Sequence, residues 1–126
     1  MSNNYYISID CNNTGRIIES YLLSNNLSAL RKYNLKLNTA IDNLSKKIED
    51  IGGIIYLSGG DNILAQIGME YFPKVISYVD EYTEPEIQFS IGIGEDAVAA
   101  YIALKYAKSV KACGPVNYRN GRFTIM

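Results

Sequence analysis

Asp10 and Asp61 are the two side chains whose type and setting point most directly to chemistry. Asp10 closes Tyr5-Tyr6-Ile7-Ser8-Ile9-Asp10, a run of β-branched and aromatic residues that reads as a strand. Asp61 stands in Gly59-Gly60-Asp61-Asn62, between the apolar runs Gly53 to Leu57 and Ile63 to Ile67, so this segment reads as strand, tight turn and strand. Mg²⁺ is usually held by one or two carboxylates together with substrate phosphates. A strand-end carboxylate and a turn carboxylate from neighbouring strands therefore suggest nucleotide chemistry with magnesium. The glycines have two readings. They leave the turn bare, so that phosphates or a base can approach the backbone, or they serve only the geometry of a hairpin turn. Asp10 and a helical lysine weigh towards the first.

That lysine is Lys108. At about 100° per residue, a helix from near Asp96 to about Val110 puts Ala97, Ala100, Tyr101, Leu104 and Ala107 on a core-facing stripe, and Lys108 falls within it. Its stem can lie along apolar surface with the ammonium emerging at an edge. Either the dipole at the helix C-terminus favours it there, or it delivers a cation to a triphosphate, helped by Lys105 or Lys111. Near the other end of the chain, Cys11-Asn12-Asn13-Thr14-Gly15 is a polar loop. Asn13 or Thr14 can cap a helix from Gly15 to about Leu23, with Ile17, Ile18, Tyr21 and Leu22 on one side. This junction either sets backbone N–H groups beside Asp10, where phosphates could sit, or simply joins a strand to a helix.

Composition narrows the remaining choices. The 126 residues fit a single domain, 1–126, and are enough to bury a core. A content of 48% hydrophobic and 20% charged residues is that of a globular chain rather than a disordered one. A formal net charge of -1 gives no basic field for holding a long nucleic acid, whereas a small anion held by local groups fits. The chain has no histidine, which removes Ser-His-Asp and Cys-His mechanisms. With Cys11 and Cys113 its only cysteines, it can build neither a Cys/His zinc site nor a disulfide framework. Carboxylates, lysines, tyrosines and a metal are left to carry catalysis. Met1-Ser2-Asn3-Asn4 shows no secretory leader pattern, and no apolar run approaches the ~20 residues of a membrane span. A soluble, reduced, cytoplasmic protein without a membrane partner is expected.

Positioning these residues falls to a small set of elements. Asn25-Asn26 breaks the first helix, and Ser28 is expected to cap a second that runs to about Ile51. Its apolar positions Leu30, Tyr33, Leu37, Ala40, Ile41, Leu44, Ile48 and Ile51 recur at three and four. Gly52-Gly53 should stop it. Gly68 ends the strand after the turn, and Pro73 suits the first turn of a helix with Val75, Ile76 and Val79 inward, closed by Thr83-Glu84-Pro85. Ile87, Phe89, Ile91 and Ile93 alternate with Gln88, Ser90, Gly92 and Gly94, a strand with one bulky and one bare face. That contrast predicts a sheet packed on helices behind and open to a ligand in front. Asn120-Gly121 predicts a small edge hairpin between Val116-Asn117-Tyr118 and Phe123-Thr124-Ile125. Without one extra helix and the tail, the order is βαββαβ, an α+β ferredoxin-like arrangement. In it the first strand and the central hairpin are neighbours, so Asp10 and Asp61 converge.

Asp10, Gly59-Gly60-Asp61-Asn62, and Ile91-Gly92-Ile93-Gly94 followed by Ala103-Leu104-Lys105-Tyr106-Ala107-Lys108 form an ordered set. The set resembles the palm-domain polymerases and cyclases, including GGDEF diguanylate cyclases and the palm of the large type III CRISPR subunit. In its size the chain looks most like the minimal CRISPR polymerases. The resemblance covers nearly the whole chain. It implies a palm that makes a cyclic nucleotide signal from ATP or GTP with Mg²⁺ or Mn²⁺, in antiviral defence, with a separate effector sensing the product. It also implies metal ligation by Asp10, the carbonyl of Cys11 and Asp61, and phosphate contact by Lys108. Asn13, Thr14, Gly59, Gly60, Asn62, Lys105 and Lys111 complete the expected nucleotide site. Closing a dinucleotide ring brings two nucleotides together, either in one wide site or across two facing subunits, and of these a homodimer is expected. Asn62 departs from the second acid of Gly-Gly-Asp-Asp or Gly-Gly-Asp-Glu, and the Gly-Gly-Asp-Asn form is similar to that of GTP cyclohydrolase III. A purine ring-opening enzyme and a nucleotide-binding module without chemistry are the rival readings.

Overall fold

The computed structural model describes residues 4–126. Met1 to Asn3, read above for the absence of a leader pattern, lie outside the described residues. The chain runs β1 (Asn4–Cys11), α1 (Thr14–Leu23), α2 (Leu27–Asp50), β2 (Ile54–Gly59), β3 (Asn62–Gly68), a short 3₁₀ turn (Met69–Tyr71), α3 (Phe72–Tyr82), β4 (Phe89–Gly94), α4 (Ala97–Val110), β5 (Val116–Arg119) and β6 (Arg122–Ile125). All six strands form one sheet in the order β2-β3-β1-β4-β5-β6. The first four strands are antiparallel and follow the ferredoxin-like order. The tail then extends this sheet, with β5 parallel to β4 and β6 antiparallel to β5. No helix among the described residues is long and apolar enough to cross a membrane.

The main core lies on one face of the sheet. Ile7 and Ile9 of β1 stand beside Ala65 and Ile63 of β3 and Ile93 and Ile91 of β4, and all six are buried. Tyr33, Leu37, Ile41, Leu44 and Ile48 of α2 and Val75 and Val79 of α3 join them in a single cluster. The three-and-four spacing of α2 is thus the seam of the core, and burying it is the main driving force for this layer. Two helix starts differ from the sequence expectation. Asn26, not Ser28, caps α2, its side chain accepting from the Ala29 amide at 3.2 Å. Asn13 occupies the cap position of α1 in the left-handed region, φ 61°, and makes no side-chain cap. Leu22 of α1 is exposed rather than inward, and only Ile17, Ile18 and Tyr21 rest on the core.

The opposite face of β4 is not open in front. Ser90, Gly92 and Gly94 are buried, and α4 lies directly on the two glycines. A Cβ at Gly92 would come within 3.0 Å of the Ala100 carbonyl oxygen and the Leu104 amide nitrogen, and one at Gly94 within 3.0 Å of Ala99 and Ala100. At Gly92 and Gly94 the bare face therefore serves close helix-to-strand approach, whereas Gln88 and Ser90, at the start of the strand, line a cavity. The buried face of α4 is Ala100, Ala103, Leu104 and Ala107, with Tyr101 and Ala97 exposed. The inward stripe is rotated from the expected one because small residues let the backbone approach. Ala103, Ala107 and Val116 form a second, separate buried cluster behind it.

Candidate active site

The register of β1 fixes the acidic side of the site. Asp10 is the Cα partner of Asn62 on β3 and of Ser90 on β4, so the three side chains share the α4 face of the sheet. Gly60 and Asp61 are the two loop residues between β2 and β3. Gly60 has φ 59°, as the first position of a tight hairpin turn requires. The Cys11 amide donates to the Asp61 carbonyl at 2.9 Å, tying this turn to the end of β1. Asp10, Cys11 and Asp61 thus meet at one end of three adjacent strands, as the topology predicts.

The Cys11 thiol points into the core and is pushed above its usual value, chiefly by burial, with the Asp61 and Asp10 carboxylates acting in the same direction. The thiol is thus a core group, and the other donor that Cys11 carries is its backbone carbonyl. That carbonyl accepts from Thr14 Oγ1 at 3.5 Å. Beneath this corner Tyr33 is buried with its hydroxyl unpartnered, and burial is the main cause of its raised pKa. No group of three or more His, Cys, Asp or Glu side chains gathers anywhere among the described residues. Two carboxylates and a carbonyl are hard oxygen donors, a set that fits Mg²⁺, which keeps several waters and completes its shell with phosphates.

The cationic side comes from α4 and α1. Lys108 Nζ lies 2.8 Å from Asp10 Oδ2, with the two side chains 32% and 21% exposed. Beside this pair is a cavity of about 460 Å³ lined by Asn12, Asn13, Arg16, Gln88, Ser90, Lys108, Lys111 and Ala112. Among the described residues, three cations and no carboxylate line it. Ser90 Oγ donates to Asn12 Oδ1 at 2.9 Å and the Asn12 amide donates to the Gln88 carbonyl at 2.7 Å, which holds the loop after β1 against β4. Lys111 ends α4 in the left-handed region, φ 52°, which turns it towards the cavity wall.

The structure gathers Asp10, Cys11, Asp61, Asn62, Lys108, Lys111, Asn13 and Thr14 around one corner. Lys105 does not join them; it is exposed, with its ammonium 5.2 Å from the Tyr101 ring centroid. Arg16, Asn12, Gln88 and Ser90 are lining residues that sequence reasoning missed. Arg16 carried a signal, since a basic residue in the first turn of a helix opposes the dipole unless an anion sits nearby.

The two glycines of the turn separate by experiment. Gly59 has negative φ and nothing within 4 Å of an added Cβ. Gly59→Ala is therefore expected to leave the melting temperature within about 2 °C of wild type, as surface changes do. If the bare turn admits a nucleotide, the same variant weakens triphosphate binding severalfold in a calorimetric titration. Unchanged binding assigns Gly59 to turn geometry alone.

Among comparisons with known proteins, a model of the minimal CRISPR polymerase domain matches residues 6–114. No curated protein sequence matches the chain. Among solved structures, a Csm1-Csm4 cassette in complex with cA4 superposes with TM-score 0.68 at 16% identity, over 92% of this chain and 21% of that one. The chain thus spans about a fifth of the length of that relative. A diguanylate cyclase/phosphodiesterase from Caldicellulosiruptor saccharolyticus gives TM-score 0.59 at 16% identity, covering 98% of this chain and 80% of the other. The active GGEEF domain of a diguanylate cyclase from Vibrio cholerae gives 0.57 at 13% identity, covering 93% and 83%. These likenesses establish a palm-like cyclase fold, and the matched model covers most of the chain. By that match, the chain belongs to the minimal CRISPR polymerase domain family.

Proposed function

We propose that the chain is a palm-domain nucleotidyltransferase that makes a cyclic nucleotide from ATP or GTP. The observation that carries this reading is the corner where Asp10 and the Asp61 turn adjoin a cavity lined by Arg16, Lys108 and Lys111. Asp10, Asp61 and the Cys11 carbonyl would hold Mg²⁺ or Mn²⁺, which supplies charge neutralisation and a lowered pKa at a bound hydroxyl. Arg16, Lys108 and Lys111 bind and orient the triphosphate, with Asn12, Asn13 and Gln88 able to donate or accept at its edges. A ribose hydroxyl gives up its proton to solvent and attacks an α-phosphorus, forming a new P–O bond while the bond to the β-phosphate breaks and pyrophosphate leaves. Positioning and preorganised charge account for most of the rate. Two copies of the chain bring two nucleotides together, and the product is a defence signal read by a separate effector.

Incubating the purified protein with each triphosphate and Mg²⁺, then identifying products by mass, tests the reading directly. A cyclic nucleotide supports it; an opened purine ring moves the chain to the cyclohydrolase reading, and binding without turnover moves it to a regulatory module. Asn62 sharpens the test because it stands opposite Asp10 across β1 and β3. Asn62→Asp adds a charge that a divalent ion can absorb, so metal affinity should rise and cyclic product persist. Tighter metal binding with collapsed turnover would mean that the amide donates a hydrogen bond the reaction needs, as in attack on a purine.

A further inference from the structure

We infer that Lys108 is an exchangeable counter-cation: it sits on Asp10 until a triphosphate draws it away, so that capture of the phosphates and loading of the metal are coupled through one side chain. This rests on the metal-and-triphosphate reading of the same corner. Lys108 Nζ contacts Asp10 Oδ2 at 2.8 Å and the same side chain lines the cavity that holds Arg16 and Lys111. It is placed in the last turn of α4, on a stem long enough to face either partner. Among the described residues Lys108 is the cation within ion-pair distance of Asp10, and it occupies Oδ2. A divalent ion and an ammonium drawn to one carboxylate repel each other across a few ångströms, so each weakens the other's hold on Asp10.

Solvent still reaches both side chains, 32% and 21% exposed, so water can take over either charge as the pair opens. Release is therefore cheap, which an exchange requires and a structural salt bridge does not. Phosphate oxygens arriving in a cavity lined by two further cations and no carboxylate give Lys108 a better partner. Its departure bares Oδ2 for the metal. By linkage the effect runs both ways: a metal on Asp10 releases Lys108 and raises affinity for the triphosphate by the same factor.

The test separates the two halves so that chelation of metal by phosphate does not intrude. Mn²⁺ is titrated into full-length, nucleotide-free protein by electron paramagnetic resonance, and inorganic tripolyphosphate is titrated calorimetrically in EDTA. Lys108→Met is expected to tighten Mn²⁺ by about two- to fivefold, the range an exposed ion pair is worth. Lys111→Met removes an equal charge from the same cavity without touching Asp10, and it should give less than half of that change. In EDTA, Asp10→Asn should tighten tripolyphosphate in wild type but not in the Lys108→Met background. Equal effects of Lys108→Met and Lys111→Met, or no tightening of Mn²⁺, overturn the exchange while leaving the metal site standing, provided Asp10→Asn abolishes the binding. No saturable Mn²⁺ binding by any of the proteins overturns the metal reading and the exchange with it. Lys108→Gln carries the same test if Lys108→Met does not fold.

Discussion

Asp10→Asn is expected to reduce nucleotide turnover at least about 100-fold, because even the partners that merely orient a metal ligand are worth ten- to hundredfold. Asp61→Asn should do the same. Neither change should unfold the protein. Asp10 lies on the α4 face of the sheet, outside the main core cluster, and its ion pair to Lys108 is reached by solvent and worth about 1 kcal/mol. Asp61 joins the fold through its backbone carbonyl, which accepts from the Cys11 amide, and the substitution leaves that bond in place. Melting temperatures within about 4 °C of wild type are the matching expectation. Product yield and thermal melts measured on the same preparations decide the matter. Near-normal product from either variant removes the two-carboxylate site; loss of product together with loss of folding would make the acids structural.

Gly92→Ala should have the largest effect on stability. The added Cβ would meet the Ala100 carbonyl oxygen and the Leu104 amide nitrogen and lie 2.8 Å from Leu104 Cα, all of them backbone atoms of α4. A flexible side chain could move aside; a helix backbone has to shift as a body. Overpacking costs about 1–3 kcal/mol and occasionally more, and contact with backbone on this scale belongs at the upper end. A fall of about 10 °C in melting temperature follows for a domain of this size. Because α4 also carries Lys108 and Lys111, triphosphate affinity should fall in parallel at temperatures where the variant is still folded. A melt unchanged within about 2 °C would mean that α4 does not sit on β4 as described.

Much of this arrangement is legible in the residues, and the failures share a physical cause. Periodicity identified α2 and its buried face, since eight apolar positions at helical spacing leave little choice. Strand order followed from the order of elements, and with it the convergence of Asp10, Cys11 and Asp61. What one chain segment cannot reveal is which neighbour covers it. The bare side of β4 fits an open face as well as a seat for a helix, and only the packed structure distinguishes them. The buried face of α4 was misjudged for the same reason: with small residues spread around the helix, apolar character alone does not select a side. Arg16 and Ser90 went unnoticed because their relation to Asp10 is set by pairing across strands and by a helix start, not by proximity in sequence.

The second buried cluster gives the site a divided foundation. Asp10 and the Asp61 turn stand on strands anchored in the large core, whereas Lys108 and Lys111 stand on a helix anchored by Ala103, Ala107 and Val116. The two halves meet along a seam of glycine and alanine, where there is close contact but little side-chain interlocking. If the corner takes a nucleotide as proposed, its opposite charges rest on two different layers of the fold, so the seating of α4 on β4 would help to set how firmly that nucleotide is gripped.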